Sequence, residues 1–388
     1  MAGRVAASPT REGLILMSLD PVAFDNEHEA FRESFGRFLE KTVLPDYNKW
    51  RESGAIPRSV YRAAGEFGFL GICAPEEYGG GGVTDPRFGA VLVQEAMRVG
   101  CTGFAVTLAW HSNVCIPFIT AHASAEQKAE WLPALAAGEK LIMPVDGSCL
   151  QVSRSPDGDA VVTGAVGSVI GGAVADLLLT VITEDGRNTT LVADIEPSDH
   201  GDNPGAAFSV EPVVGSLGLE DAALADVVFG HRMSQSNLVA GDAGSEIAAD
   251  GDLWLAVVHL AGAHAAFDRT VTYVQERKVF GERLSTFENT RFRLDAVSSR
   301  YSAVRAAVFA AIRQRQASVP SNADASALLR LAAGLHQDSV DLGLQLHGGY
   351  GYMREYPIAQ AFADAGFLLA SGGSNTEIYQ VISPMARY

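Results

Sequence analysis

Arg277, Gln345, Gly348 and Gly349 stand in two segments, YVQERKVFGERLSTFE and QLHGGYGYMREYP, whose residue types suit the binding of an anion. A guanidinium presents a planar fork of N–H donors that matches paired oxygens. Glycines, lacking Cβ, let backbone N–H groups come close to a phosphate. Taken singly, Arg277 reads as a solvated helix charge and the glycines as a helix stop. Metal chemistry finds no support: His111, His259, His264 and His347 lack ligand spacing and read as core or surface residues. Cys73, Cys101, Cys115 and Cys149 show no CxxC spacing and read as buried free thiols in a reducing cytosol.

The elements that must position these residues follow from the hydrophobic period. Residues 21–140 repeat apolar side chains at three- and four-residue spacing, as in HEAFRESFGRFLEKTVLPDYNKW, with Gly79 to Gly82 as a loop. Residues 141–241 change to short β-branched runs, AVVTGAV, DLLLTVIT, TTLVADI, FSVEPV and LADVVFG, separated by Gly, Asp, Asn and Pro: a small antiparallel β domain. Residues 242–388 return to the helical period in three long helices, the last two separated around Pro320. Residues 1–20 read as a loose tail whose apolar stretch, Leu14 to Met17, is too short for a signal core or a membrane span. The class is α+β with a segregated sheet, and the expected location is cytoplasmic, off the membrane.

A chain of 388 residues holds two or three domains and a large core. The net charge of −17 argues against nucleic acid as a partner, since a phosphate backbone is bound through clustered Lys and Arg.

Three collinear segments, LGICAPEEYGGGG and the two quoted above, resemble the acyl-CoA dehydrogenase family. They match its Pro-Glu-Glu-Tyr-Gly-Gly loop, its Arg-x-x-Phe-Gly signature on a long helix, and its Gln-x-x-Gly-Gly-x-Gly-(aromatic)-x-x-Glu-Tyr-Pro signature. The resemblance spans nearly the whole chain. It implies an N-terminal helical domain, a middle β domain and a C-terminal four-helix bundle. It also implies FAD as cofactor, an acyl-CoA or acyl-carrier-protein thioester as substrate, and an electron-transfer flavoprotein as electron acceptor. In this family the C-terminal domains pair, so Arg277, Phe280, Gln345, Gly348 and Gly349 would meet FAD held by a neighbouring protomer, and Ser148 would face substrate.

The departures from the family pattern are selective. The family removes an α-proton with a Glu; the two positions at which members carry it fall on Gly372 and Gly251 here. Asp252, beside the second, is a displaced-base candidate or a helix-start acid favoured by the dipole, and Glu377 reads as a cap or a solvent-facing residue. Where the family reads Thr-Glu-Pro-x-x-Gly-Ser-Asp, this chain has Ile142 to Cys149, and the ring-side Trp and hydroxyl are Ser168 and Ile170. Glu288 replaces a usual Gln near the cofactor. Tyr350 and Tyr352 read as packing. Three readings stay open: a base-lacking subunit that completes the FAD site of a homologous acyl-CoA dehydrogenase subunit; a homo-oligomeric flavoenzyme using Asp252; and a non-redox scaffold that has lost flavin.

Overall fold

A computed structural model describes residues 24–155, 159–184, 187–195, 208–239 and 244–371. The expected tail at 1–20, the boundary at 241, Gly372 and Glu377 all lie outside the described residues.

Seven helices come first: α1 (Asn26–Phe38), α2 (Tyr47–Ser53), α3 (Arg58–Glu66), α4 (Arg87–Val99), α5 (Thr102–Trp110), α6 (Ile116–His122) and α7 (Ala125–Ala136). Local chemistry sets their ends. Asp25 caps α1 by accepting from the His28 N–H, and Ser124 and Gln127 form a reciprocal capping box on α7. Gly100, at φ 88°, stops α4. A π-turn at His111–Cys115 joins α5 to α6. The resulting stretch, Thr102–His122, is apolar enough to cross a membrane by length and composition, but 78% of its most apolar window is buried inside the fold. It is a core helix.

The middle of the chain is two four-stranded sheets. One has the order β1 (Ile142–Val145), β4 (Leu177–Glu184), β5 (Arg187–Asp194), β8 (Leu238–Val239); the other β2 (Gln151–Arg154), β3 (Ala160–Val169), β7 (Ala225–Met233), β6 (Phe208–Pro212). Pairing is antiparallel except between β1 and β4, where Ile142 lies opposite Leu177 in a parallel ladder. His111 fastens this sheet to the helices. Its Nε2–H donates to the Leu135 carbonyl at 3.1 Å and its Nδ1 accepts from the Ile142 N–H at 3.2 Å.

Four helices close the chain, α8 (Gly244–Glu276), α9 (Glu288–Arg315), α10 (Asn322–His347) and α11 (Pro357–Ser371), with a two-strand hairpin, β9 (Lys278–Val279) and β10 (Glu282–Arg283), between the first two. Asp252 meets Ser326, His259 meets His336, and Tyr273 meets His347. That register makes α8 and α10 parallel, so both end on the same side of the bundle.

One apolar cluster runs from Phe35 and Leu92 through Leu178 and Val227 to Leu253, Phe309 and Leu335, joining helices, sheets and bundle. The loop between β6 and β7 locks the three together. Asp221 accepts from the Gly103 and Phe104 N–H groups at 3.0 and 3.2 Å, capping α5 from outside its own sequence. The Leu219 N–H donates to Asp364 of α11 at 2.8 Å, and Ala222 bridges to Ala55. Leu219 and Ala223 both carry positive φ, 54° and 48°, a strained backbone held by these contacts.

The buried titratable groups set a pH dependence. Burial pushes His111 and His259 down to about 4 from 6.5. Each therefore contributes stability above 6.5 that is lost as pH falls through its folded value, on the order of 3 kcal/mol apiece. Asp221 opposes them: burial, then the Asp364 charge, hold its carboxyl up at about 6, so its share is lost as pH rises through that value. The histidines outweigh it. The urea midpoint of the chain is expected to fall as pH drops from 6.5 to about 4; a midpoint flat or rising across that window contradicts the assignment.

Candidate functional site

Helix α8 ends at Glu276, so Arg277 follows the helix rather than lying in it, its N–H donating to the Tyr273 carbonyl at 2.8 Å. The side chain is exposed. Next comes the β9–β10 hairpin, whose two turn residues, Phe280 and Gly281, have φ of 54° and 85°. Two consecutive positive values mark the primed turn that matches strand twist. Glycine adopts it freely; phenylalanine does so under strain. Phe280 is also 95% exposed, so the strain is accompanied by no burial within the chain.

Helix α10 ends at His347, where Gly348, at φ 59° and ψ −133°, turns the chain into a 3₁₀ segment, Gly348–Tyr352. Gln345, Gly348 and Gly349 are exposed, and a Cβ built on either glycine would meet nothing of this chain. Gly351 differs: it is buried, and a Cβ there would stand 2.6 Å from the Leu344 carbonyl oxygen.

These two chain ends form one surface. The rings of Tyr273 and His347 stack at 3.9 Å and 18°, and the Tyr273 hydroxyl donates to the His347 carbonyl at 3.4 Å. His347 Nδ1–H donates to the Gly343 carbonyl at 2.7 Å. Tyr356 packs edge-on against both rings and lies 5.0 Å from Tyr350, whose ring centroid is 5.3 Å from the Arg277 guanidinium carbon. The structure thus brings Arg277 together with the Gly348–Gly349 turn through aromatic residues that sequence reasoning took for packing or left unnamed. A signal existed: Tyr273 lies four residues before Arg277, one helical turn away.

The base positions are elsewhere. Gly251 is half-buried, and a Cβ on it would meet nothing. Helix α8 begins at Gly244, so Asp252 sits inside it rather than at its start, a correction to the helix-start reading. The Asp252 Oδ2 accepts a hydrogen bond from the Ser326 hydroxyl. Asp250, one position before Gly251, is buried in a bidentate pair with Arg315 at 2.6 and 2.7 Å. Along α8, Asp252 and Arg277 are separated by about 37 Å.

The sheet side is mixed. Ile142 is fully buried and Ile170 is 3% exposed, both within the apolar core. Ser168 sits in a β-bulge of β3, at φ 54°, its N–H donating to Asp226 at 2.7 Å. Ser148 is exposed in the turn after β1, its N–H donating to Asp146 at 2.9 Å. Cys149 beside it is exposed and Cys73 half-buried, whereas Cys101 and Cys115 are buried; the expectation of four buried thiols fails because residue 149 falls in a surface turn. Glu288 is the first residue of α9, where an acid suits the helix dipole. Of the other histidines, His264 is partly exposed, stacked on Tyr301 and 3.4 Å from Asp268.

Residues 25–139 match the family described as acyl-CoA dehydrogenase, N-terminal domain, and residues 252–382 the family described as acyl-CoA dehydrogenase, C-terminal domain. The mitochondrial long-chain specific acyl-CoA dehydrogenase of Mus musculus is 26% identical over 381 residues, covering 93% of this chain and 86% of that protein. A crystal structure of an acyl-CoA dehydrogenase from Geobacillus kaustophilus superposes with a TM-score of 0.83 at 26% identity, covering 95% of this chain and 100% of that one. A glutaryl-CoA dehydrogenase from Mycobacterium smegmatis, solved in complex with FADH2, shares the fold with a TM-score of 0.80 at 20% identity, covering 94% of this chain and 95% of that one.

Proposed function

The chain belongs to the acyl-CoA dehydrogenase family, and from that premise we propose that it is one subunit of a heteromeric acyl-CoA dehydrogenase. In this reading a homologous partner supplies the proton-abstracting Glu and the flavin-ring pocket. This chain supplies Arg277, Phe280, Gln345, Gly348 and Gly349 to the outer face of the partner's FAD. The reaction is α,β-desaturation of an acyl thioester, on CoA or a carrier protein, with electrons passing to an electron-transfer flavoprotein.

The observation that carries the reading is the contrast between two surfaces of one chain. Outward, an exposed guanidinium and two glycines with open space above them leave room for a phosphate group brought by another molecule. Inward, Ile142 and Ile170 are buried aliphatic side chains that can donate nothing to a flavin ring, and Gly251 cannot take a proton. The residues present therefore fit the diphosphate half of FAD and do not fit its ring. The separation of about 37 Å between Asp252 and Arg277 exceeds the span of an extended dinucleotide, so the two ends of α8 serve different sites. FAD, when bound, accepts the hydride that leaves the β-carbon of the thioester. Arg277 then supplies charge-assisted hydrogen bonds to the diphosphate oxygens, and the Gly348–Gly349 backbone lets it approach closely.

The second reading, a self-sufficient homo-oligomer, draws on one observation: Asp252 is a half-buried carboxylate next to the open space at Gly251. Affinity purification of the full chain, co-expressed with homologous dehydrogenases, separates the two. The expected result is a yellow complex containing an intact dehydrogenase, in which Asp252→Asn leaves desaturation nearly unchanged. Loss of a true base would cut turnover by about 10²–10⁴-fold. That loss, or a yellow, active oligomer of this chain alone, moves the chemistry to Asp252. A complex without flavin in every assembly leaves the non-redox scaffold.

A further inference from the structure

Nine arginines among the described residues are tied to carboxylates. Arg32 pairs with Glu95, Arg51 with Glu220, Arg58 with Asp176, Arg87 with Asp85 and Arg315 with Asp250. That is the expected state where 46 acidic residues face 29 basic ones. Arg277 is not one of the nine. Among the described residues it makes no ion pair with a carboxylate, and the contact that holds it is the ring face of Tyr350 at 5.3 Å.

The manner of holding matters. A carboxylate takes a guanidinium edge-on and occupies two of its N–H donors. An aromatic ring takes it by the face, through the ring quadrupole, and leaves the donors at the edge free. Beneath this contact, the Tyr273–His347 stack joins the end of α8 to the residue immediately before Gly348. Burial lowers the pKa of His347 below its ordinary value.

We propose that Tyr350 is a positioning residue: it presents the Arg277 guanidinium face-held and edge-free, while the Tyr273–His347 stack fixes that guanidinium relative to the Gly348–Gly349 backbone, so that the pair forms a two-point receptor for a diphosphate. The proposal rests on the reading of this surface as the contact for a neighbour's FAD.

A double-mutant cycle tests it in the flavin-bearing assembly of the full chain, with the FAD dissociation constant read from flavin fluorescence and the thermal midpoint read alongside. Tyr350→Leu is expected to weaken FAD by about 2- to 5-fold, the worth of an exposed cation–π contact. Tyr350→Phe, which keeps the ring face, should bind like the parent. Because Tyr350 acts through Arg277, Tyr350→Leu should add no further loss in the Arg277→Ala background. Tyr350 is 43% exposed, so its truncation removes little core. A loss that persists in full without Arg277, or one that Tyr350→Phe shares, overturns the positioning role while leaving the cofactor reading in place. If Arg277→Ala itself leaves FAD binding unchanged, the cofactor reading fails and takes this proposal with it.

Discussion

Arg277→Ala is expected to weaken FAD binding in the assembled dehydrogenase by about 10²–10⁴-fold while shifting the stability of the fold by no more than about 1 kcal/mol. The two numbers come from different physics. A guanidinium facing diphosphate oxygens makes hydrogen bonds with full charge on both sides, each contributing about 1.5–3 kcal/mol. Two of them lost together amount to roughly 3–6 kcal/mol, and each 1.4 kcal/mol is a tenfold change in affinity. Within the chain the same side chain is exposed, pairs with no carboxylate among the described residues, and touches the Tyr350 ring, a contact worth about 0.5–1 kcal/mol. Flavin retained through gel filtration and a thermal melt of the same sample check both halves. Unchanged flavin content would remove Arg277 from the cofactor site; a collapsed melting transition would show that its role is in the fold.

How far the sequence reached depends on whether a feature is local. Helix α8, which buries every residue from Leu253 to Ala263, was legible by its length of 33 residues. The long bundle helices α9 and α10 were legible because their buried positions recur at helical spacing over 28 and 26 residues. The stretch from Thr102 to His122 went unnamed for the opposite reason: α5 is apolar all round, as a helix enclosed by others must be, and offers no period to read. The strand runs were legible by composition, yet alternation says nothing of partner or direction, so the parallel β1–β4 pair was not foreseen. Asp221 lies 118 residues from the amide it caps, a contact no local pattern announces.

The site divides along the same line. Arg277, Gly348 and Gly349 could be named because a guanidinium and a glycine carry their chemistry in the residue type. The contacts of Tyr273, His347 and Tyr350 could not be foreseen, because what an aromatic ring stacks on is set here by the parallel register of α8 and α10. That residue 251 cannot take a proton was legible, since a glycine side chain carries no such group in any fold. The open space around it, and the Asp250–Arg315 pair beside it, belong to the tertiary structure.

The chain purified without a partner is expected to retain FAD far below one per protomer. Three ring-side positions, Ile142, Ser168 and Ile170, differ from the family pattern that the resemblance implies. Ile142 and Ile170 are packed into the core, at 0% and 3% exposure, and their aliphatic side chains carry no donor or acceptor. The Ser168 backbone N–H is already donated to Asp226, and the residue stands in a bulge with positive φ. A buried polar group left without its partner costs about 1–3 kcal/mol, so three such losses weaken retention by roughly 10²-fold or more. Arg277 cannot offset this within one chain, because it lies at the far end of α8 from the Gly251 position. Two identical chains could still exchange their outward surfaces, but each would present the other with the same aliphatic ring side. The decisive measurement is the flavin-to-protein ratio of the isolated oligomer after refolding or dialysis with excess FAD. A stoichiometric flavin spectrum there would mean that the ring is held by groups other than those at Ile142, Ser168 and Ile170, and the heteromeric reading would give way to an independent enzyme.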